Sequence, residues 1–206
     1  MKKQLLLALF FTSVYAIVRY AGFGNVPVIH IPVYIMNKAI SMTAAESLFM
    51  ASLALVRADQ IAVRFWKNAA LQLVFVHVFL SLGILSKGYY GTFFEGDKMN
   101  LTGELVLLTG ALGVYCFWRL QAAELAPALR RTLSTLLCAL VAGHLFTMGY
   151  DGWLQVKRWN GGLPPITLLS FLLVVASLTV SLRVRGKQAP AWSMTDTVPD
   201  SGRVSQ

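Results

Sequence analysis

The chain is predicted to be an all-α, polytopic membrane protein with six transmembrane helices and both termini on the cytoplasmic side. Three observations predict this. Of 206 residues, 56% are hydrophobic and 13% charged, where an average soluble domain carries about 25% charged residues; mean hydropathy is +0.62. Runs of about 20 apolar residues, the length that crosses a bilayer, recur six times. Lys and Arg concentrate on alternate connections, as they do in cytoplasmic loops.

The first run, residues 4–21, follows Lys2 and Lys3. That start also suits the charged and apolar regions of a secretory signal. Apolar character continues to Arg19 with no small-x-small site before a polar start, so the segment is read as an uncleaved first helix. A proline-bracketed outer loop, Val26-Pro-Val-Ile-His-Ile-Pro32, precedes the second run, 38–56. The others are 66–86, 101–120, 132–150 and 163–182. From residue 184 onward, Gly, Pro, Ser, Thr and Asp appear without periodicity. The division is therefore a membrane domain over 1–183 and a disordered cytoplasmic tail over 184–206.

With the N-terminus inside, the inner segments hold Lys2, Lys3, Arg57, Arg64, Lys67, Arg119, Arg130, Arg131, Arg183, Arg185, Lys187 and Arg203. The outer side keeps Arg19, Lys38, Lys87, Lys98, Lys157 and Arg158, the last four sharing their loops with Glu95, Asp97 and Asp151. This bias accounts for the net charge of +9. The basic residues form no continuous patch, so the expected partner is membrane lipid and not nucleic acid. Cys116 and Cys138 fall inside predicted helices and read as small buried apolar residues, ahead of a disulfide or metal pair. Trp66, Trp118, Trp153 and Trp159 fit an aromatic belt. No Gly-rich strand-turn-helix unit is found, so no FAD or NAD(P) domain is expected in this chain and any reductant comes from outside it.

His77 and His144 lie near the middle of the third and fifth runs. Intramembrane ionisable residues are rare and mark functional sites. Helices three and five run in the same direction. His77 is thirteen residues beyond Arg64 and His144 thirteen beyond Arg131, each about 20 Å along a helix, so the imidazoles sit at matched depth, in the outer half of the bilayer. Leu73, Val74, Leu80 and Ser81 share a face with His77, and Leu140, Val141, Thr147 and Met148 one with His144. Gly103, Gly110, Gly113 and Gly143 would let either helices or a macrocycle approach closely. Singly, each histidine also suits a core side chain bonded to a neighbour; at equal depth they favour a ligand pair. Zinc wants three or four ligands, and none stands nearby. Haem iron takes two axial imidazoles, so His77 and His144 are the candidate iron ligands.

The blocks His77-Val-Phe-Leu-Ser-Leu, Lys87-Gly-Tyr-Tyr-Gly-Thr-Phe-Phe-Glu, Asn100-Leu-Thr-Gly-Glu-Leu, Gly143-His144-Leu-Phe-Thr-Met-Gly-Tyr-Asp-Gly-Trp153 and Trp159-Asn-Gly-Gly-Leu-Pro-Pro165 resemble the bacterial branch of the ferric reductase-like transmembrane domain superfamily. That superfamily includes the STEAP metalloreductases, the membrane part of NADPH oxidases and the haem subunit of the periplasmic methionine sulfoxide reductase system. The resemblance spans about residues 25–182. It implies six helices with b-type haem between histidines on the third and fifth, in the bacterial inner membrane. Activity would be that of a haem-dependent oxidoreductase or its electron-transfer subunit.

Many members carry a second histidine pair one leaflet away. Here the corresponding positions hold Val63, Arg64, Tyr90 and Gly91, and Arg130, Arg131, Lys157 and Arg158. One haem b is therefore expected. It would be lined by Leu73, Ser81, Gly110, Val141 and Met148, with Lys87 and Arg158 at its charged edge. A single outer haem favours the quinol pool as donor over a separate cytosolic reductase, and an outer-side redox partner as acceptor. Lys38 and Lys157 also reach the outer face, where pairing with haem carboxylates competes with ordinary snorkelling. His30 and Glu46 are accessory candidates: His30 near the haem edge, a quinone or a substrate metal, or simply in a structured interfacial loop; Glu46 in a proton relay or quinone site, or as a neutral hydrogen-bonded group. Glu104 reads as interfacial. The competing class is a haem-free structural or assembly protein. A small transporter is a third, though no inverted repeat or paired broken helices appear.

Overall fold

The computed structural model describes residues 1–122 and 124–188. It is mostly helical, with six helices long and apolar enough to cross a membrane: α1 (Lys2–Ile17), α2 (Met36–Val56), α3 (Gln60–Gly83), α4 (Leu101–Arg119), α5 (Pro127–Trp153) and α6 (Ile166–Gln188). The number of spans agrees with the expectation, while several ends move.

Local chemistry explains where they move. α3 begins six residues before the expected start because Asp59 caps it, its Oδ1 accepting from Ala62 N at 2.9 Å; a carboxylate there satisfies a donor that the first turn leaves open. α5 begins at Pro127, a residue suited to the first helical turn. Asn100 caps α4 through Gly103 N at 3.0 Å. Residues 28–35, expected as a loop, are instead a 3₁₀ turn (Val28–His30) and a π turn (Ile31–Ile35) running into α2. The connection before α4 holds a small hairpin, β1 (Phe94–Glu95) and β2 (Lys98–Met99), turning at Gly96 with φ +59°. A two-residue hairpin turn favours glycine at that position. The last helix extends to Gln188, past the expected 182; residues 189–206 of the expected tail lie outside the described residues.

α2 is the hub, packed on by α1, α3 and α6, while α4 and α5 form a second antiparallel pair joined to α6 through α5. Its buried residues are small, Ala39, Thr43, Ala44, Ala45, Ser47, Ala51, Ser52 and Ala54. Helices approach closely in lipid through such residues, because burying apolar surface gains little there. Thr12 on α1 and Thr43 on α2 share a buried hydroxyl hydrogen bond of 2.7 Å. Ala45, Cys138, Leu145 and Val174 join α2, α5 and α6. α3 meets α4 only sparsely; the seam is closed by Ala70, Cys116, Phe117 and Leu137 from α3, α4 and α5. Cys116 and Cys138 are buried in different clusters and not bonded to each other.

Two groups sit deeper than expected. Trp66 is 4% exposed between α2 and α3 and does not join a surface belt. Arg19 is 6% exposed. Its Nη1 donates to the carbonyls of Leu163 (2.7 Å) and Asn160 (3.5 Å), pinning the end of the first span to the loop before α6.

Candidate functional site

His77 on α3 and His144 on α5 lie toward the end of the bundle that carries the α1–α2, α3–α4 and α5–α6 connections. Their helices make hardly any close backbone approach to each other; His77 is held from α2 and His144 from α4.

Each ring is held by its Nδ1. His144 Nδ1 lies 2.9 Å from the Val106 carbonyl of α4. A carbonyl only accepts, so Nδ1 carries the proton and Nε2 presents its lone pair. His77 Nδ1 lies 2.7 Å from Asn37 Oδ1 of α2. The Asn37 amide nitrogen donates to Ser81 Oγ at 2.8 Å and to the Tyr90 hydroxyl at 3.4 Å, which turns its oxygen toward the imidazole. His77 thus takes the same tautomer. Neither Nε2 has a hydrogen-bond partner among the described residues. Two imidazoles with Nδ1–H anchored and Nε2 bare are the form in which histidine binds a metal.

Gly110 explains how His144 reaches a helix carbonyl. A β-carbon at 110 would stand 3.2 Å from His144 Nδ1 and 3.3 Å from Cε1. Its absence uncovers the Val106 carbonyl one turn earlier. Ser81 Oγ is 3.5 Å from His77 Nδ1. Of the predicted lining residues, Ser81 and Gly110 therefore touch the histidines directly. Val141 is half-buried and joins the packing on both sides, against the clusters of α2, α5 and α6 and of α3, α4 and α5. Leu73 and Met148 are half-buried at helical spacing from the histidines. Lys87 and Arg158 are exposed, and no described contact ties either to a histidine. Gly113 packs on Val141 and Leu140, Gly103 on Phe93 and Met99, and Gly143 faces open space.

The accessory candidates separate. His30 bonds through Nδ1 to the Tyr89 hydroxyl at 2.9 Å. It belongs to an aromatic group with Tyr34, Tyr89 and Tyr90, and Tyr90 in turn reaches Asn37. Lys38 extends over the rings of Tyr34 (4.5 Å) and Tyr20 (5.1 Å). Glu46 is half-buried on α2 without a described hydrogen bond or ion pair.

Sequence reasoning missed Asn37, Tyr90 and the Val106 carbonyl. Asn37 carries a signal in retrospect, since a buried amide in an apolar segment needs partners. Its 40-residue separation from His77 hides which one. Among the described residues no three His, Cys, Asp or Glu side chains gather as a metal site. The sequence matches no known protein family and no curated protein with significance.

Proposed function

We propose that this chain is a b-type haem membrane protein of the ferric reductase-like kind, carrying electrons to an acceptor on the outer side, with His77 and His144 as axial ligands. The observation that carries this reading is the shared anchoring of the rings: each Nδ1 lies within hydrogen-bond distance of an oxygen on a flanking helix, and neither Nε2 has a hydrogen-bond partner among the described residues. Haem bound there would supply one-electron chemistry. The chain's own part is to orient the two rings through Asn37 and Val106, to admit His144 beside Gly110, and to surround the site with apolar helix faces that keep water out.

Quinol as donor is supported by the sparse α3–α4 seam and by the apolar side chains exposed on those two helices, among them Phe75, Phe79, Leu107 and Leu108. A lipid-soluble reductant would approach on that side. The inward concentration of Lys and Arg supports cytoplasmic termini and a place in the bacterial inner membrane. One haem is expected, because only one histidine pair exists in the spans.

The test is direct. Protein purified from haem-sufficient cells should show a reduced b-type spectrum at one haem per chain, lost in His77→Ala and in His144→Ala. A colourless wild type would overturn the proposal in favour of a haem-free structural or assembly protein.

A further inference from the structure

The two histidines are held differently. His144 is anchored by a main-chain carbonyl inside α4 and not by a side chain. His77 is anchored by a side chain, Asn37, 1% exposed, which itself depends on two hydroxyls: Ser81 on α3 and Tyr90 on the connection to the hairpin. Tyr90 stacks on Phe93 (centroids 5.3 Å apart, planes 1° apart) and packs near Tyr34, whose ring meets Tyr89, the partner of His30. The acceptor on His77 is thus tied, through one amide, to the connections at this end of the molecule.

We infer that Asn37 is the positioning residue that sets the basicity and ring orientation of His77, and that Tyr90, with Ser81, whose hydroxyl also lies 3.5 Å from His77 Nδ1, fixes which way the Asn37 amide faces. This rests on the haem reading above. An acceptor on Nδ1–H pushes electron density into the imidazole and makes Nε2 a more basic ligand. A more basic ligand favours the oxidised iron and so lowers the reduction potential. His77 is the adjustable ligand of the pair and His144 the fixed one.

Asn37→Leu removes the acceptor, and Asn37→Asp offers a stronger one. A purely structural role for Asn37 would move the potential the same way in both variants, or in neither. The experiment is an equilibrium redox titration of the purified, haem-loaded full chain, with haem stoichiometry recorded in parallel. Asn37→Leu should raise the potential and Asn37→Asp lower it. The expected size is on the order of a tenfold change in the oxidised-to-reduced ratio at fixed potential, about 59 mV for a one-electron couple. Ser81→Ala and Tyr90→Phe keep Asn37 and remove one amide partner each. They serve if an Asn37 variant fails to fold, and should shift the potential in the Asn37→Leu direction by a smaller amount. Haem-loaded variants with the wild-type potential, or shifts of one sign for Leu and Asp, would overturn the role of Asn37 and leave the haem reading standing. A colourless wild type would overturn both.

Discussion

Gly110 stands directly against His144: a β-carbon there would lie 3.2 Å from Nδ1, the atom that donates to the Val106 carbonyl. Separations that short force the ring to give way. Gly110→Leu should displace His144 and break its bond to Val106, and, on the haem reading proposed above, weaken haem binding roughly 10- to 100-fold, the usual cost of losing the group that orients a metal-binding histidine. Gly110→Ala should give a partial loss. Gly143→Ala, with nothing within 4 Å of the new carbon, is the control and should keep full haem. The readout is the haem-to-protein absorbance ratio, and full occupancy in Gly110→Leu would contradict this packing.

Arg19 is a stability element. It is 6% exposed and gives Nη1 to the Leu163 carbonyl at 2.7 Å. Hydrogen bonds from charged groups contribute about 1.5–3 kcal/mol. Arg19→Leu should therefore cost about 2 kcal/mol and lower the thermal midpoint in detergent. Unchanged unfolding would show that the loop before α6 does not depend on this clamp.

The Thr12–Thr43 hydroxyl pair joins α1 to α2 at 2.7 Å. Interhelical hydrogen bonds in membrane proteins average about 0.6 kcal/mol and reach about 1.7. A double-mutant cycle with Thr12→Val and Thr43→Val should return a coupling in that range, with the double variant losing less than the sum of the singles. Simple additivity would mean the two hydroxyls do not stabilise each other.

Ala58, in the tight turn between α2 and α3, has φ +55°. An L-residue with a β-carbon pays about 1–2 kcal/mol in that conformation, and glycine returns part of this as unfolded-chain entropy. Ala58→Gly should raise stability by about 0.5–1 kcal/mol, seen as a higher unfolding midpoint.

Cys116 and Cys138 are 3% and 5% exposed, so the native thiols give a low labelling background. A membrane-impermeant maleimide added to intact cells should label Asp97→Cys, in the α3–α4 connection, and spare Arg57→Cys, in the α2–α3 turn. The reverse pattern would place the termini outside.

The six spans were legible because bilayer thickness imposes one length on every apolar run, and charge placement survives in the sequence without any tertiary information. Helix ends were less legible. Asp59, Pro127 and Asn100 are all start signals, but an apolar-run criterion passes over polar residues at the boundary. Counting predicts matched depth for the histidines, since parallel helices convert residue number into depth, and their pairing as ligands is part of the proposal above. What holds them cannot be counted out: Asn37 and Val106 lie about 40 residues from their partners, and a main-chain carbonyl has no sequence signature. The burial of Arg19 is not legible either, because its acceptors are also main-chain groups, more than 140 positions away.

The packing of α2 bears on how the protein is made. Synthesis delivers spans in order, so α2 enters the membrane with α1 and α3 while its third neighbour is still untranslated. Until α6 arrives, Ala45 lacks Val174 and the Ser52 hydroxyl lacks Ser181, its partner at 3.5 Å in the finished bundle. The nascent protein therefore carries a polar, small-residue flank that stays partly uncovered until α6 packs on it. Chains interrupted before residue 166 would display that flank to the quality-control machinery of the membrane.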